Sequence, residues 1–331
     1  MKRLMAVAVL CATFITTFSQ KKFKIHGTVT GMADKTPIFL DDLTDGTFKY
    51  LDSAIIINGT FTFSGSTKAT AVKAAIRTKD FTDRVYFWLE GATIHFSATK
   101  GKFREAKIKG SRTQEEQYAF EALLKNASDI KQTTIAFIQG HPHSLISSEL
   151  LSIYSTTWGK DTTAMLYRIL SNKIKNTFYG NKILEYLTLN KNLKIGDKYA
   201  DFSQLDIKGD LVKLSDFTNK VLLLEFWGSW CIPCRQEHPE LLNLYQEFKE
   251  KGFEIIGIAA DTKKVQWIEA VQKDRLTWPN LSDLNGDSNK AALMYGVSRY
   301  PTNFLIDKNG IIIAKDIRGK ELTLKLQQLL P

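Results

Sequence analysis

The first third of the chain is a succession of short runs in which apolar and polar residues alternate. Alternation with a period of two places one face of a strand in a core and the other in water. Such runs lie at 23–29, 37–40, 71–76, 84–89 and 93–97, and two more flank the dipeptide Asn58-Gly59, which favours a two-residue hairpin turn. We therefore predict an all-β domain over residues 20–110, either a small sandwich or a barrel.

Between residues 111 and 192 the apolar residues change to helical spacing. Phe120 and Leu123 begin a series whose members recur at intervals of three and four, which is the period of one helix face. Pro142 interrupts this pattern, and Ser144 before the next apolar run is a typical N-cap. The sequence therefore predicts a connector of three or more helices.

The remaining residues, 193–331, alternate strand patterns with helical ones. Continuous apolar runs at 221–226 and 253–260 are typical of strands buried on both faces, and a helical pattern follows each of them. Two shorter runs at 303–306 and 311–315 flank a polar turn and predict a closing hairpin. This order indicates an α/β fold. The chain is thus expected to be multi-domain, with an N-terminal all-β domain, a helical connector and a C-terminal α/β domain.

Residues 1–19 have the pattern of a signal peptide. Lys2 and Arg3 precede an apolar run that extends to Phe18, and a small residue follows. The run is short for a membrane span and is broken by threonines. Cys11 lies inside the run after a bulky residue, which disfavours its lipidation. We therefore expect export to the periplasm or cell envelope.

Removal of this leader would leave Cys231 and Cys234 as the two thiols of the chain. A single close pair is not the disulfide framework of a small exported protein. The pair lies where the strand pattern ending at Trp227 passes into a helical pattern, and a helix N-terminus stabilises a thiolate through its unpaired N–H groups and its dipole. The sequence therefore predicts a redox-active disulfide, with Cys231 as the nucleophile and Cys234 as the resolving thiol.

The net charge of +10 does not point to nucleic acid. Residues 193–331 carry 19 basic and 19 acidic residues, so the basic excess lies upstream, and there it forms no stripe with interleaved aromatics. His141 and His143 have no third ligand nearby in the sequence, and His26 and His95 lie in strand patterns as structural residues. We expect no nucleic-acid partner, no metal and no cofactor.

From about residue 194 onward the chain resembles the thioredoxin superfamily. The resemblance is to its exported thiol:disulfide interchange proteins, the cytochrome-maturation and alkyl-hydroperoxide-reductase-like branch. It rests on these residues: Phe202, Gly209, Leu214-Ser215-Asp216-Phe217, Phe226-Trp227-Gly228-Ser229-Trp230-Cys231-Ile232-Pro233-Cys234-Arg235, Pro239, Val297 and Pro301-Thr302-Asn303-Phe304-Leu305-Ile306-Asp307. It implies a thioredoxin-like fold and a thiol:disulfide oxidoreductase.

The N-terminal domain resembles the β domain of unassigned function that precedes thioredoxin-like domains in exported Bacteroidetes proteins. The matching residues are Asp52-Ser53 and Asn58-Gly59-Thr60-Phe61. This second resemblance implies location and domain order more than chemistry.

The thioredoxin resemblance also implies a substrate face beside the cysteines. Pro301 matches the family's cis proline, which packs against the active-site sulfurs and whose neighbouring backbone pairs with an extended substrate segment. The substrate-binding residues expected with it are Trp230, Ile232, Pro233 and Tyr300.

Two carboxylates are candidates for moving the proton of Cys234. Glu225 matches thioredoxin's buried acid, and Glu237 matches an acid that some exported members place near the pair. We prefer Glu225, because burial in an apolar strand raises the pKa of a carboxyl group. His238, on the same helix as Glu237, is expected at the helix surface.

Two other functions fit parts of the sequence. A peroxiredoxin-like thiol peroxidase would share the family resemblance, but the residues before Cys231 lack the proline that those enzymes place ahead of a lone cysteine. A ligand-binding module carried on a thioredoxin fold would not need an intact pair. We expect instead dithiol/disulfide exchange with exported protein thiols, and the resemblance implies a reductant recharged by a membrane electron donor.

Overall fold

The computed structural model of the protein describes residues 20–67 and 71–331. The expected signal peptide, with Cys11, lies outside the described residues. The described chain divides into two compact units, one of residues 20–137 with Ser144–Ile146 and one of Ile138–His143 with Ser147–Pro331. The division at residues 110 and 192 that the sequence suggested stays a prediction.

The first unit contains two four-stranded sheets with a shared core. Their strand orders are β4-β1-β7-β8 and β3-β2-β5-β6. Inward side chains of both sheets, such as Ile25 and Ile76, form one buried cluster, as alternating strands require. The predicted β domain is thus a sandwich. Its strands are β1 (Lys21–Thr30), β2 (Pro37–Asp42), β3 (Lys49–Ile55), β4 (Thr60–Thr67), β5 (Ala71–Thr78), β6 (Arg84–Glu90), β7 (Thr93–Thr99) and β8 (Lys107–Lys109).

The Asn58-Gly59 turn joins the two sheets instead of closing a hairpin within one. Asn58 and Gly59 have φ of 48° and 70°, and Ile57 and Thr60 exchange backbone hydrogen bonds across them. Beyond this single pair, however, β3 pairs with β2 and β4 pairs with β1. The two-residue turn is confirmed. The hairpin is wrong, because the two flanking strands diverge into different sheets.

Residues 111–190 form helices, as their apolar spacing predicts. The Ser144 hydroxyl accepts the Ile146 N–H at 3.2 Å at the start of the longest helix, which confirms the N-cap. Gly159, with φ 79° and ψ 169°, interrupts that helix. No helix in the described ranges is both long enough and apolar enough to cross a membrane. The helices are α1 (Arg112–Lys125), α2 (Ile130–Gly140), α3 (Leu145–Ile169), α4 (Asn172–Lys175) and α5 (Phe178–Leu189).

The second unit is built on a seven-stranded sheet of order β10-β9-β13-β12-β11-β14-β15. Its centre is the parallel pair β11 and β12, in which every residue is buried, and β14 runs antiparallel to β11. The elements are β9 (Ser203–Asp206), β10 (Leu211–Lys213), β11 (Val221–Trp227), α6 (Ile232–Phe248), β12 (Phe253–Ala259), α7 (Lys264–Lys273), β13 (Asn280–Ser282), α8 (Lys290–Tyr295), β14 (Thr302–Ile306), β15 (Ile312–Lys315) and α9 (Gly319–Leu329).

Strand β11 separates two apolar clusters. Its odd positions, such as Leu223 and Trp227, pack in the cluster that contains the cysteines, whereas Leu224 and Phe226 pack in the other. Because side chains alternate along a strand, Glu225 belongs to the face that carries the cysteines.

Gly257 on β12 allows a hydrogen bond beneath the end of β11, from Trp227 Nε1 to Asn280 Oδ1 at 3.1 Å. A Cβ at position 257 would lie 2.4 Å from that oxygen. We expect Gly257→Ala to lower the free energy of unfolding by about 1–3 kcal/mol, because the bond must break or the strand must shift. Chemical denaturation measures this change. In the control Gly140→Ala an added Cβ meets no atom within 4 Å, and an equal loss in both variants would contradict the argument.

Candidate active site

The two cysteines form a disulfide at the start of helix α6. Cys231 is the N-cap residue, its N–H donates to the Gly228 carbonyl at 2.9 Å, and its sulfur accepts the Cys234 N–H at 3.2 Å. Both side chains are buried. The backbone donor therefore points at the sulfur of Cys231, where it favours negative charge.

The turn between β11 and α6 is fixed by contacts with the end of β12. The backbone N–H of Ser229 donates to Asp261 at 3.0 Å, and the Ser229 hydroxyl donates to the same carboxylate. The Trp230 indole N–H donates to the carbonyl of Ala260 at 3.1 Å. A Cβ on Gly228 would lie 2.7 Å from the Trp230 ring, so a larger residue there would displace that ring. These contacts hold the turn that presents Cys231.

The expected substrate-binding residues form an apolar rim, in which Trp230, Ile232 and Pro233 are exposed and Tyr300 and Pro301 are half-buried. Trp230 is 56% exposed and Ile232 70% exposed, and Pro233 is also exposed. The Trp230 and Tyr300 rings meet edge to face with centroids 5.5 Å apart. The bond between Tyr300 and Pro301 is cis, as the resemblance implies. The structure thus brings Trp230 and Tyr300 together beside the start of α6.

Glu225 is a buried carboxyl group in the middle of β11, with 2% of its surface exposed. Burial and then the negative charge of Glu237 raise the pKa of Glu225 well above its ordinary value, and Asp316 adds to this, whereas Arg318 and a hydrogen bond with Asn303 lower it. Its Oε2 has no hydrogen-bond partner among the described residues. Such a carboxyl keeps its proton at a pH at which exposed glutamates have lost theirs.

Glu237 is half-buried on α6 and pairs with Arg318. The Arg318 Nε lies 2.8 Å and 2.9 Å from the two carboxylate oxygens. Another guanidinium nitrogen of Arg318 donates to the Pro301 carbonyl at 2.9 Å. Glu237 is therefore an ion-pair partner, whereas Glu225 is not.

His238 is buried, with 1% of its surface exposed, and the prediction of a surface residue is wrong. Its Nδ1 lies 2.8 Å from Asp274, and its ring packs edge-on against Trp227. Arg235 donates to the same carboxylate at 2.8 Å and 2.6 Å. Asp274 explains the burial, because a ring nitrogen with a hydrogen-bond partner can leave water at little cost. Burial lowers the pKa of His238, against the effect of Asp274.

The other histidines do not gather into a site. His26 and His95 are neighbours on β1 and β7, with rings stacked at 5.7 Å. Within residues 20–67 and 71–331, no three His, Cys, Asp or Glu side chains are arranged to hold a metal ion.

Two parts of the chain match known families. Residues 195–315 match the AhpC/TSA family, and residues 23–117 match a domain of unknown function, DUF4369. The thiol-disulfide oxidoreductase ResA of Bacillus thuringiensis subsp. konkukian is 37% identical over 145 residues, which are 44% of this chain and 82% of that protein. The chain belongs to the AhpC/TSA family.

Further relatives carry the same description. ResA of Geobacillus kaustophilus is 35% identical over 148 residues, which cover 45% of this chain and 80% of that protein. A solved thiol-disulfide oxidoreductase from Bacteroides fragilis is 39% identical, covers 40% of this chain and 100% of its own, and has a TM-score of 0.39. The protein is thus a thioredoxin-like thiol-disulfide oxidoreductase of the AhpC/TSA family, and the expected family, fold class and enzyme class are confirmed. The roles of single residues stay predictions.

Sequence reasoning missed three charged residues that hold the site of this AhpC/TSA enzyme. Asp261, Asp274 and Arg318 lie 32, 39 and 81 positions from the residues that they bind. The only sequence signal was for Asp261, which directly follows the apolar run 253–260. Polar residues at the carboxyl edge of a sheet often serve a site.

Asp274→Asn tests the contact that fixes Arg235 and His238 on α6. We expect a loss of about 1–3 kcal/mol in the free energy of unfolding at pH 7, because an amide replaces a charged acceptor of three hydrogen bonds. Chemical denaturation gives the value. The exposed Glu269 on α7 provides the control Glu269→Gln, and equal effects would contradict the prediction.

This loss should depend on pH. Burial raises the pKa of Asp274, but its bonds with Arg235 and His238 outweigh burial and leave the pKa below its ordinary value. The unfolded chain therefore binds more protons in acid, and the stability that Asp274 provides is lost as pH falls through the folded-state pKa. The difference between wild type and Asp274→Asn should shrink there.

Glu225→Gln should stabilise the protein at neutral pH. The native state binds the Glu225 proton more tightly than the unfolded state, so this group lowers stability as pH rises above its ordinary pKa. We expect the advantage of the variant to grow from pH 4 upward in denaturation experiments on the oxidised whole protein. The exposed Glu247→Gln is the matched control, and a pH-independent difference for Glu225→Gln would contradict the prediction.

Proposed function

We propose that the protein reduces disulfides of exported proteins by dithiol/disulfide exchange at Cys231 and Cys234. The observation that carries this proposal is the position of Cys231 at the helix N-cap, where its sulfur accepts the Cys234 N–H. The same position leaves Cys234 one turn away and almost fully buried. Cys231 is the nucleophile and Cys234 the resolving thiol.

The reaction balances within this site. The Cys231 thiolate attacks one sulfur of a substrate disulfide, whose other sulfur leaves as a thiolate. Cys234 then gives its proton to the Glu225 carboxylate and attacks Cys231, which forms the protein disulfide and releases the second substrate sulfur. Two electrons pass to the substrate. Its two sulfurs take up two protons, one through Glu225 and one from water.

Glu225 is the group that moves the proton. A base that serves a thiol needs a pKa raised toward neutrality, and burial raises that of Glu225. Its Oε2 is unpartnered among the described residues, whereas both oxygens of Glu237 face Arg318. Glu237 therefore acts on the reaction through its charge.

The substrate segment lies on the apolar rim of Trp230, Ile232, Pro233, Tyr300 and Pro301. The exposed side chains of Trp230 and Ile232, beside the half-buried Tyr300 and Pro301, suit an extended peptide around a cysteine. The partners are exported protein thiols or disulfides in the periplasm or cell envelope, and a membrane electron donor returns the pair to the dithiol form.

Trapping the mixed disulfide tests the assignment of the two cysteines. With insulin as the disulfide substrate, we expect Cys234→Ser to accumulate a covalent adduct on Cys231, because the resolving thiol is missing. Cys231→Ser should form no adduct and should reduce insulin at the uncatalysed rate. Nonreducing electrophoresis and mass spectrometry identify the linked residue, and an adduct on Cys234 in the Cys231→Ser protein would reverse the roles.

A further inference from the structure

All three nitrogens of the Arg318 guanidinium group donate hydrogen bonds. Its Nε binds both oxygens of Glu237, Nη1 donates to the carbonyl of Asp316 at 3.1 Å, and Nη2 donates to the carbonyl of Pro301 at 2.9 Å. The side chain is one-third exposed. Three different partners fix the position of this rigid, planar group. A lysine ammonium on its flexible stem does not reproduce this set of bonds.

These partners come from different elements of the unit. Glu237 is three residues after Cys234 on α6, and Pro301 directly precedes β14. Arg318 itself is the residue before α9. One side chain thereby links the helix that carries the thiols to the proline of the substrate face.

The same group also lies close enough to Glu225 to affect its charge. Glu237 acts on the Glu225 carboxyl group from α6, and Asn303 acts on it from β14. Arg318 and Asp316 act on it from the segment between β15 and α9. The negative groups oppose ionisation of Glu225, while Arg318 favours it.

A small cavity lies beside Asn303 and the Glu237–Arg318 pair. It has a volume of about 10 Å³ and is lined by Glu237, Asn303 and Arg318, together with Glu240 and apolar residues of α6 and α9. Asn303 is the direct register partner of Glu225 on the neighbouring strand. A cavity of this size has room for about one water molecule. Asn303 lines it together with the Glu237–Arg318 pair and also hydrogen-bonds Glu225.

We propose that Arg318 is a positioning residue of the exchange reaction, which neutralises Glu237 and fastens the Pro301 carbonyl to helix α6, so that Glu225 can accept the proton of Cys234. This inference rests on the proposed function. It adds a residue that touches neither thiol and acts through Glu237 and Pro301.

The aromatic disulfide dithiobis(nitrobenzoate) separates the two steps, because each step releases one equivalent of coloured thionitrobenzoate. When the reduced whole protein is mixed with it, the first thionitrobenzoate leaves as Cys231 attacks. The second leaves as Cys234 displaces it from the mixed disulfide. Only the second step requires the Cys234 proton to move, so the pH profile of the second phase reports on Glu225.

The inference predicts opposite shifts for the two partners of the ion pair. Arg318→Met removes a cation, so the midpoint of the second phase should move to higher pH, by about one unit, with a rate about tenfold lower at pH 7. Glu237→Gln removes an anion and should move the midpoint to lower pH. In a Glu225→Gln background neither substitution should shift the profile.

Two further variants separate the loss of the Arg318 charge from a general disturbance of the structure. Arg318→Lys keeps the charge and should bring the midpoint back toward that of wild type. Arg299 is an exposed arginine that pairs with Asp316 at 2.9 Å and is not among the charges that act on Glu225, so Arg299→Met should shift the midpoint far less than Arg318→Met does.

Each failure has its own meaning. A wild-type protein without a second phase would reject the proposed function itself. With a normal second phase, shifts of the same sign in Arg318→Met and Glu237→Gln, or an Arg318→Met profile equal to that of Arg299→Met, would overturn the role of Arg318 alone. If Arg318→Met does not fold, Glu237→Gln and Arg318→Lys decide the matter, and an unchanged midpoint in Glu237→Gln overturns the inference.

Discussion

Burial of β11 on both faces is the constraint on which the site depends. A strand that is enclosed at all seven residues has a fixed direction and register, and it ends at Trp227, four residues before Cys231. The turn that follows is held by Asp261, so the first residues of α6 arrive with the sulfur of Cys231 at the helix N-cap. The chemistry of the cysteine pair is therefore a consequence of how the central sheet is packed.

The same strand carries a carboxyl group into that packing. An unpaired carboxylate in an apolar interior is costly, and a buried acid escapes most of this cost by keeping its proton. Glu225 does so at the expense of stability at higher pH, while its neighbour Glu237 finds a counter-ion in Arg318. Two carboxyl groups on the cysteine side of one sheet thus take different roles, because one has a cation and the other does not.

The sequence revealed what depends on local patterns. Continuous apolar runs located β11 and β12, and the strand-to-helix change located the pair of cysteines. The resemblance to thioredoxins singled out Glu225 as a buried acid in that strand. Residues close together along the chain determine these features, which is why pattern and resemblance were enough to predict them.

What the sequence did not reveal depends on partners that are distant along the chain. Asp274, directly after α7, is the hydrogen-bond partner of the buried His238, and Arg318 pairs with Glu237 across 81 positions. No periodicity encodes such pairs. The hairpin predicted at Asn58-Gly59 was wrong for a related reason. The dihedral angles of the turn are local, but pairing with β1 and β2 decides which sheet each flanking strand joins.

The central claim is that Glu225 keeps a proton beside the cysteine pair when exposed glutamates have lost theirs. NMR titration of the side-chain carboxyl carbons in the glutamate-labelled, oxidised whole protein tests this claim most directly. The account predicts one resonance, absent from Glu225→Gln, that titrates well above all the others. A Glu225 resonance that titrates together with the exposed glutamates would contradict it.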